Sequence, residues 1–337
     1  MSWKELYKSK LVSAEEAVKH IKSGDRVVLG HAVGEPLALV DAMVKNKDSY
    51  ENVEIVHMVG MGKGEYTAPG MEPHFRHNAI FVGGCTRKAV NEGRADYTPC
   101  FFHEVPKMFR EGYLPVDVAL IQVSPPDQHG YCSFGVSVDY TKPAAEAAKL
   151  VIAEVNDQMP RTMGDSFIHV SQLDYIVETS RPIIELPPPK IGDVEKAIGE
   201  NCASLIEDGS TLQLGIGAIP DAILLFLKDK KDLGIHSEMI SDGVVELVEA
   251  GVINNSKKSI NRGKSVVTFL MGTKKLYDYA HDNPAVAMHP VNYVNDPYVV
   301  AQNYKMVSIN SCIQVDLMGQ VASESIGLRQ FSGVGGQ

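Results

Sequence analysis

Several chemistries are missing from this chain, and each absence narrows what it does. The 337 residues hold five cysteines, Cys85, Cys100, Cys132, Cys202 and Cys312, with no C-x-x-C spacing among them. An odd, scattered set points to reduced thiols in the cytoplasm, against a disulfide framework or a zinc site. The eleven histidines include no H-E-x-x-H, so no residue is assigned as a metal ligand. Lys and Arg (32) fall short of Asp and Glu (42), giving a formal charge of -10 where a nucleic-acid binder would show a basic excess. Net acidity leaves room for a phosphorylated ligand held by backbone amides and a few lysines. No apolar run approaches bilayer length, the longest tidy one being residues 222–227, and residues 1–5 carry no apolar signal segment. No membrane association is therefore expected. There is no G-x-S-x-G, and no cysteine stands in an activating context. The single tryptophan, Trp3, carries no signal.

What remains is ordinary globular composition, 44% hydrophobic and 22% charged, at a length that suggests two domains. Along the chain one unit is written twice. Ser13 and Glu16 open a helix over 14–22, Gly24 ends it, residues 26–30 read as a strand, His31 to Pro36 as a loop and 37–44 as a second helix. The same order returns as a helix over 194–206, Gly209, a strand over 211–215, a loop over 216–220 and a helix over 221–227. Gly24 matches Gly209 and Gly30 matches Gly215, both at an offset of 185 (209 − 24 and 215 − 30). Further on, 53–57 matches 233–236, Cys85-Thr86-Arg87-Lys88 matches Gly272-Thr273-Lys274-Lys275, and 118–121 matches 307–310.

Four matches in order argue for duplication. Strands alternating with helices then imply two tandem open α/β domains with largely parallel sheets. Their expected bounds are 1–186 and 192–337, joined by a proline-stiffened linker at 187–191. The first unit continues through a helix near 144–149 and a strand near 150–155, for which the second has no counterpart. The second domain is thus expected to be C-terminally incomplete, with the missing segment as a separate fragment among its partners.

The stretch Gly234-Ile235-His236-Ser237-Glu238-Met239-Ile240-Ser241-Asp242-Gly243 reads as a short buried strand running out into polar residues, ended by Gly243. A carboxylate at the outgoing end of a strand sits where α/β proteins bind ligands. Glu238, between Met239, Ile240 and the buried strand, would be partly desolvated; its plainer role would be to cap the next helix or pair with a lysine. Aligning His57 with His236 sets Val59 opposite Glu238. A structural role common to both units would keep similar chemistry, so the contrast favours function.

Gly215-Ile216-Gly217-Ala218-Ile219-Pro220 follows a strand and opens a helix, where exposed N–H groups suit an anion or a developing oxyanion. Pro220 replaces the third glycine of a dinucleotide fingerprint, and no acidic residue is placed for a ribose. Gly333-Val334-Gly335-Gly336 is a second backbone-rich loop. With Glu238 the two loops supply a nucleophile and two sources of N–H donors, the minimum for acyl transfer. Gly60-Met61-Gly62-Lys63-Gly64 lacks the Walker frame and reads as a flexible loop, and residues 124–130 read as a turn containing Asp127 and His129.

Taken together, residues 212–222, His236-Ser237-Glu238-Met239, Gly272-Thr273-Lys274 and Phe331-Ser332-Gly333-Val334-Gly335-Gly336-Gln337 resemble the acetyl-CoA hydrolase/transferase family, the family I CoA-transferases with a carboxylate nucleophile. The resemblance runs from Trp3 to Gln337. It implies an active site between two α/β halves, Glu238 as nucleophile, the loops Gly215 to Pro220 and Gly333 to Gly336 as CoA-binding and oxyanion regions, and Asn295 near the substrate. It further implies coenzyme A as a substrate with no bound cofactor, a homo-oligomer, and ping-pong transfer between an acyl-CoA and a carboxylate such as acetate. The stretches Gly30 to Pro36 and Ser241 to Val245 lean towards 4-hydroxybutyryl over butyryl groups. Rival readings are a thioester hydrolase on the same site, a non-catalytic acyl-CoA sensor, and a sugar-phosphate isomerase on a related scaffold.

Overall fold

The computed structural model describes residues 2–336; Met1 and Gln337, the outer bounds of the two expected domains and the last residue of the final motif, lie outside the described residues. In the first half, alternating side chains on strands buried on both faces build a parallel sheet. Its strands are β1 (Arg26–Leu29), β2 (Val53–His57), β3 (Phe75–Ala79), β4 (Asp96–Tyr97), β5 (Val118–Val123) and β6 (Leu150–Asn156). Two further strands follow, β7 (Met163–Gly164) and β8 (Tyr175–Thr179). All but β7 join one sheet in the order β8-β6-β5-β1-β2-β3-β4, every pairing parallel.

Alternate positions along each strand go to different cores. Val27, Leu29, Ile55, Val118, Leu120 and Ile152 pack against Leu39 and Met43 of the helix Leu37–Lys45. Val28, Val56, Ala119, Ile121, Val151 and Ala153 face the other way, into a core shared with Leu212, Leu214, Ile223 and Ile235 of the second half. At about 1.5–3 kcal/mol for each fully buried aliphatic side chain, this shared core is what joins the halves.

The second half repeats the scheme with β9 (Thr211–Leu214), β10 (Gly234–Ile235), β11 (Met239–Ile240), β12 (Ser265–Val267), β13 (Phe269–Leu270), β14 (Val286–Met288) and β15 (Met306–Ile309). β9 lies between β10 and β15, and a parallel bridge from His236 to Val266 carries β10 on to β12, which pairs with β14. The resulting order β15-β9-β10-β12-β14 repeats β5-β1-β2-β3-β4 of the first sheet. β7 from the first half pairs with the outer edge of β14.

The repeat holds in register. Val27 pairs with Val118, and their counterparts Leu212 and Val307 pair with each other. The two duplicated α/β halves with largely parallel sheets are those expected. One detail of the alignment shifts. Val27 pairs with Ile55 and Leu212 with Ile235, so the offset across β2 and β10 is 180 (235 − 55). Met58, not Val59, therefore stands opposite Glu238. The likeness of His57 to His236 misleads here, because parallel pairing fixes register by backbone hydrogen bonds and not by residue type.

Local boundaries also differ. The helix expected over 14–22 is one α-turn, Ala14–Ala17, capped by Ser13, followed by a 3-10 turn Val18–His20. The loop Gly60 to Gly64, expected to be flexible, is pinned by the buried Glu35 carboxylate, which accepts from Met61 N at 3.0 Å and Gly62 N at 2.8 Å. Residues 124–130 do form a turn, with Asp127 Oδ1 accepting from His129 N and Tyr131 N. The linker, residues 187–191, lies in neither helix nor strand. No described helix is long and apolar enough to cross a membrane.

Candidate active site

Glu238 is placed by a break in the strand that was expected to run through it. β10 follows β9 for two residues; then Ser237 Oγ accepts from Leu214 N at 3.0 Å and donates to Leu214 O at 3.2 Å, standing in for the ladder. Ser237 N turns instead to Val266 O (3.0 Å), and Glu238 O accepts from Thr268 N (3.0 Å) and Phe269 N (3.2 Å). Pairing resumes one residue later, with Met239 against Phe269 on β13. The backbone on both sides of Glu238 is thus fixed while its side chain projects at the seam. Gly243 does not end the strand; it lies in the first turn of the helix Asp242–Glu249, where a Cβ would meet Leu224 Cδ1 at 2.7 Å. Asp242 ties that helix to the Gly272-Thr273 motif, accepting from Thr273 N and Oγ1 at 2.9 and 2.8 Å.

Two cavities meet at the Glu238 side chain. One, of about 360 Å³, is walled by His31, Met58, Phe269, Gly215, Ile216 and the loop 333–336. The other, of about 470 Å³, is walled by Phe101, His103, His236, Asn295, Met306 and Gly336. Gln213, Glu238 and Gly336 line both. Burial raises the Glu238 carboxyl above its ordinary range, and the hydrogen bond from Asn295 pulls it part of the way back.

Asn295 follows the helical turn Val291–Val294, and Asp296 caps the next turn, Pro297–Val300, by accepting from Tyr298 N. Held between them, Asn295 donates Nδ2–H to Glu238 Oε2 at 2.7 Å. The contact joins residues 57 apart. The final loop reaches the same carboxylate by way of the first half. Val82 N donates to Ser332 O at 3.2 Å, Phe102 N donates to Gly335 O at 3.0 Å, and the Arg87 guanidinium lies 4.1 Å over the Phe331 ring. So anchored, Gly336 backs onto the site: a Cβ there would lie 1.7 Å from Glu238 Oε2 and 2.4 Å from Asn295 Nδ2.

The other loop divides. Gly215 and Ile216 share the smaller cavity with Glu238. Gly217 caps the helix Ala218–Leu225 and lines a neighbouring cavity of about 330 Å³ beside Pro187, Pro188 and Pro189. Ala218, Ile219 and Pro220, expected in the loop, form the first turn of that helix and line none of these cavities.

Three residues at the site were not singled out in the sequence. Gln213 bridges the cavities, and its Oε1 accepts from Asn310 Nδ2 at 3.0 Å. Met58 is the apolar counterpart of Glu238. His31 is 2% exposed and pairs through Nδ1 with Asp139 Oδ2 at 3.1 Å, 108 residues away. Only the duplication could have flagged Met58 and His31, since both occupy positions equivalent to site residues of the second half. A half-buried carboxylate set where two cavities meet, with a neutral donor on one oxygen and a glycine backbone against it, is suited to nucleophilic attack on a carbonyl carbon.

Comparison with known proteins places the chain as a whole. The profile described as acetyl-CoA hydrolase/transferase N-terminal domain matches residues 1–186, and that of the C-terminal domain matches residues 272–337. Glu238 lies between the two matches, but full-length relatives align through it. The 4-hydroxybutyrate coenzyme A transferase of Clostridium kluyveri is 75% identical over 337 residues, covering 100% of this chain and 79% of that protein. The butyryl-CoA:acetate CoA-transferase of Anaerostipes caccae is 42% identical over 344 residues, covering 100% of this chain and 77% of that protein. The crystal structure of 4-hydroxybutyrate CoA-transferase from Porphyromonas gingivalis superposes with a TM-score of 0.86 at 47% identity, covering 95% of this chain and 77% of that one.

Proposed function

The chain belongs to the acetyl-CoA hydrolase/transferase family and is a CoA-transferase, and from that premise we propose that it moves CoA between 4-hydroxybutyryl-CoA or butyryl-CoA and a carboxylate such as acetate, with Glu238 as the covalent carrier. The observation that carries the reading is the Glu238 carboxylate at the meeting of two cavities, held by Asn295 on one oxygen and backed by Gly336. Two cavities give one carboxylate access to an acyl group and to a thiol from different sides.

Asn295 occupies Oε2, leaving Oε1 to attack the thioester carbonyl carbon. The C–O bond forms, the C–S bond breaks, and CoA leaves as a thiolate, giving an acyl-glutamyl anhydride. The thiolate then attacks Cδ of Glu238. The first acid departs as its carboxylate, and a glutamyl-CoA thioester remains. An incoming carboxylate attacks Cδ and expels the thiolate to form a second anhydride. Attack of the thiolate on the new acyl carbon releases the product thioester and restores Glu238. No proton or electron is gained or lost over the cycle, and the thioester's energy stays in covalent form throughout, so ping-pong kinetics follow.

Each tetrahedral step puts charge on one oxygen, the substrate's when the acyl carbon is attacked and Glu238's own when Cδ is attacked. Asn295 Nδ2 and the N–H groups of the loop 333–336 are the donors we assign to it, each contributing about 2.7–4 kcal/mol. Both halves line the smaller cavity, through His31, Met58 and Phe81 on one side of the linker and Gly215, Ile216 and Gly336 on the other, and five unpaired thiols suit the cytoplasm.

Mass spectrometry tests the carrier. After incubation with butyryl-CoA and reduction by borohydride, the peptide containing Glu238 should lose one oxygen and gain two hydrogens, as its thioester becomes an alcohol. An unmodified Glu238 peptide from protein that has bound substrate would remove this reading.

Asn295→Leu addresses the donor. With its hydrogen bond gone, the Glu238 carboxyl rises further, so the acidic limb of kcat/KM should move to higher pH. The plateau should fall about tenfold or more, since a hydrogen bond to a charged group is worth about 1.5–3 kcal/mol. A pH–rate profile on both proteins checks the two effects together.

A further inference from the structure

We propose that His31, fixed by Asp139, is the hydrogen-bond acceptor that reads a hydroxyl on the acyl chain, making this enzyme discriminate hydroxyacyl from plain acyl thioesters. The proposal rests on the CoA-transfer reading and names a specificity determinant of that same site.

The chemistry begins at Asp139, which is fully buried. Its Oδ1 accepts from Tyr140 N at 2.6 Å, from Thr141 N at 3.1 Å and from Thr141 Oγ1 at 3.1 Å; its Oδ2 accepts from Ser137 Oγ at 2.5 Å. A carboxylate satisfied by that many donors is an acceptor towards His31 Nδ1 at 3.1 Å as well, so Nδ1 carries the imidazole proton. In the neutral ring the lone pair then lies on Nε2. That nitrogen is buried and has no partner among the described residues. Buried polar atoms are rarely left so, which points to a ligand atom as the missing partner.

The ring is held in one orientation. Phe269 and Phe102 stand edge-on to it at centroid distances of 4.8 and 5.5 Å, and Tyr140 is tilted at 5.4 Å. His31 lines the cavity that Glu238 also lines. The repeat sharpens the point. Adding the offset of 185 makes Ile216 the counterpart of His31, and Ile216 lines the same cavity. Where the second half presents an aliphatic side chain, the first presents an acceptor fixed by a carboxylate, much as Met58 answers Glu238 in the other pair.

An acyl group bearing a hydroxyl offers the O–H that Nε2 lacks. An acyl group ending in a methyl leaves Nε2 desolvated and unpaired, and a site built to bond a hydroxyl penalises the analogue without one.

The test compares kcat/KM for 4-hydroxybutyryl-CoA, butyryl-CoA and 4-fluorobutyryl-CoA with acetate, for wild type, His31→Leu and His31→Gln. Fluorine is close to a hydroxyl in size but donates no proton. Wild type should prefer the hydroxyl over the fluorine by at least about tenfold. His31→Leu should collapse the hydroxybutyryl-to-butyryl ratio by at least about tenfold. His31→Gln, which restores an acceptor, should recover much of it. A general structural role would lower all three substrates together and leave the ratios unchanged, and that result would overturn the proposal. If His31→Leu does not fold, the wild-type comparison of hydroxyl with fluorine decides alone, equal values overturning it. Absence of transfer from every thioester in folded wild type would instead overturn the CoA-transfer reading.

Discussion

Glu238→Gln should lower kcat for CoA transfer by at least about four orders of magnitude, the scale seen when a covalent nucleophile is removed. Gln keeps the size of the side chain and an oxygen to accept from Asn295, so both cavities persist and acyl-CoA still binds. Stopped-flow or single-turnover assays should find no CoA-labelled protein, while equilibrium dialysis still finds bound acyl-CoA. A variant retaining a tenth of the activity would show that Glu238 is not the carrier.

The same substitution carries a stability signature of opposite sign. Burial holds the Glu238 carboxyl above its unfolded value. A group whose folded pKa is raised supports the fold below its unfolded pKa and loses that support as pH rises through the folded value. At neutral pH the ionised Glu238 is therefore a cost, one that Gln does not incur. Glu238→Gln should melt at a higher temperature than wild type near neutral pH, and the gap should close as pH falls towards the ordinary carboxyl range. The wild-type kcat/KM should fall as pH drops through the raised Glu238 value, because only the carboxylate attacks. Calorimetry over pH beside a rate profile would show the two effects moving together.

Gly336→Ala should be the most damaging change made without touching a charged or polar side chain. A methyl group 1.7 Å from Glu238 Oε2 and 2.4 Å from Asn295 Nδ2 cannot coexist with the hydrogen bond between them. Either the carboxylate turns away or the loop withdraws. Misplacing a reacting group by about 1 Å costs about a hundredfold, and we expect a loss of that size in kcat/KM. Gly336 is exposed and belongs to neither core, so unfolding free energy should stay within about 0.5 kcal/mol of wild type. Equal activity with unchanged melting would mean that the loop stands clear of the site during turnover. Loss of both would instead make Gly336 part of the fold.

How far the sequence reached can be judged from individual residues. Glu238 was legible because a carboxylate among apolar neighbours at a strand's end breaks local pattern, and because its counterpart in the first half is apolar. The duplication was legible too, since glycines ending helices and strands recur at a near-constant offset. Gly243 was misread: glycine stops strands and also allows helices to approach, and the contact with Leu224 that decides between them is not local. The helix start at Ala218 was misplaced because Pro220 fits the first turn of a helix as readily as a loop.

The sequence by itself determined the periodic parts of this protein: two α/β units, largely parallel sheets, and a carboxylate at a strand's end between two backbone-rich loops. These are written in residue spacing, which acts over a few positions. Only the tertiary structure decided that Met58 answers Glu238, that Asn295 reaches it across 57 residues, and that Asp139 fixes His31 across 108. Strand order and register bring those groups together, and a shift of one residue in register turns every side chain of a strand to the other face. Local pattern carries no record of which distant side chain will be met there.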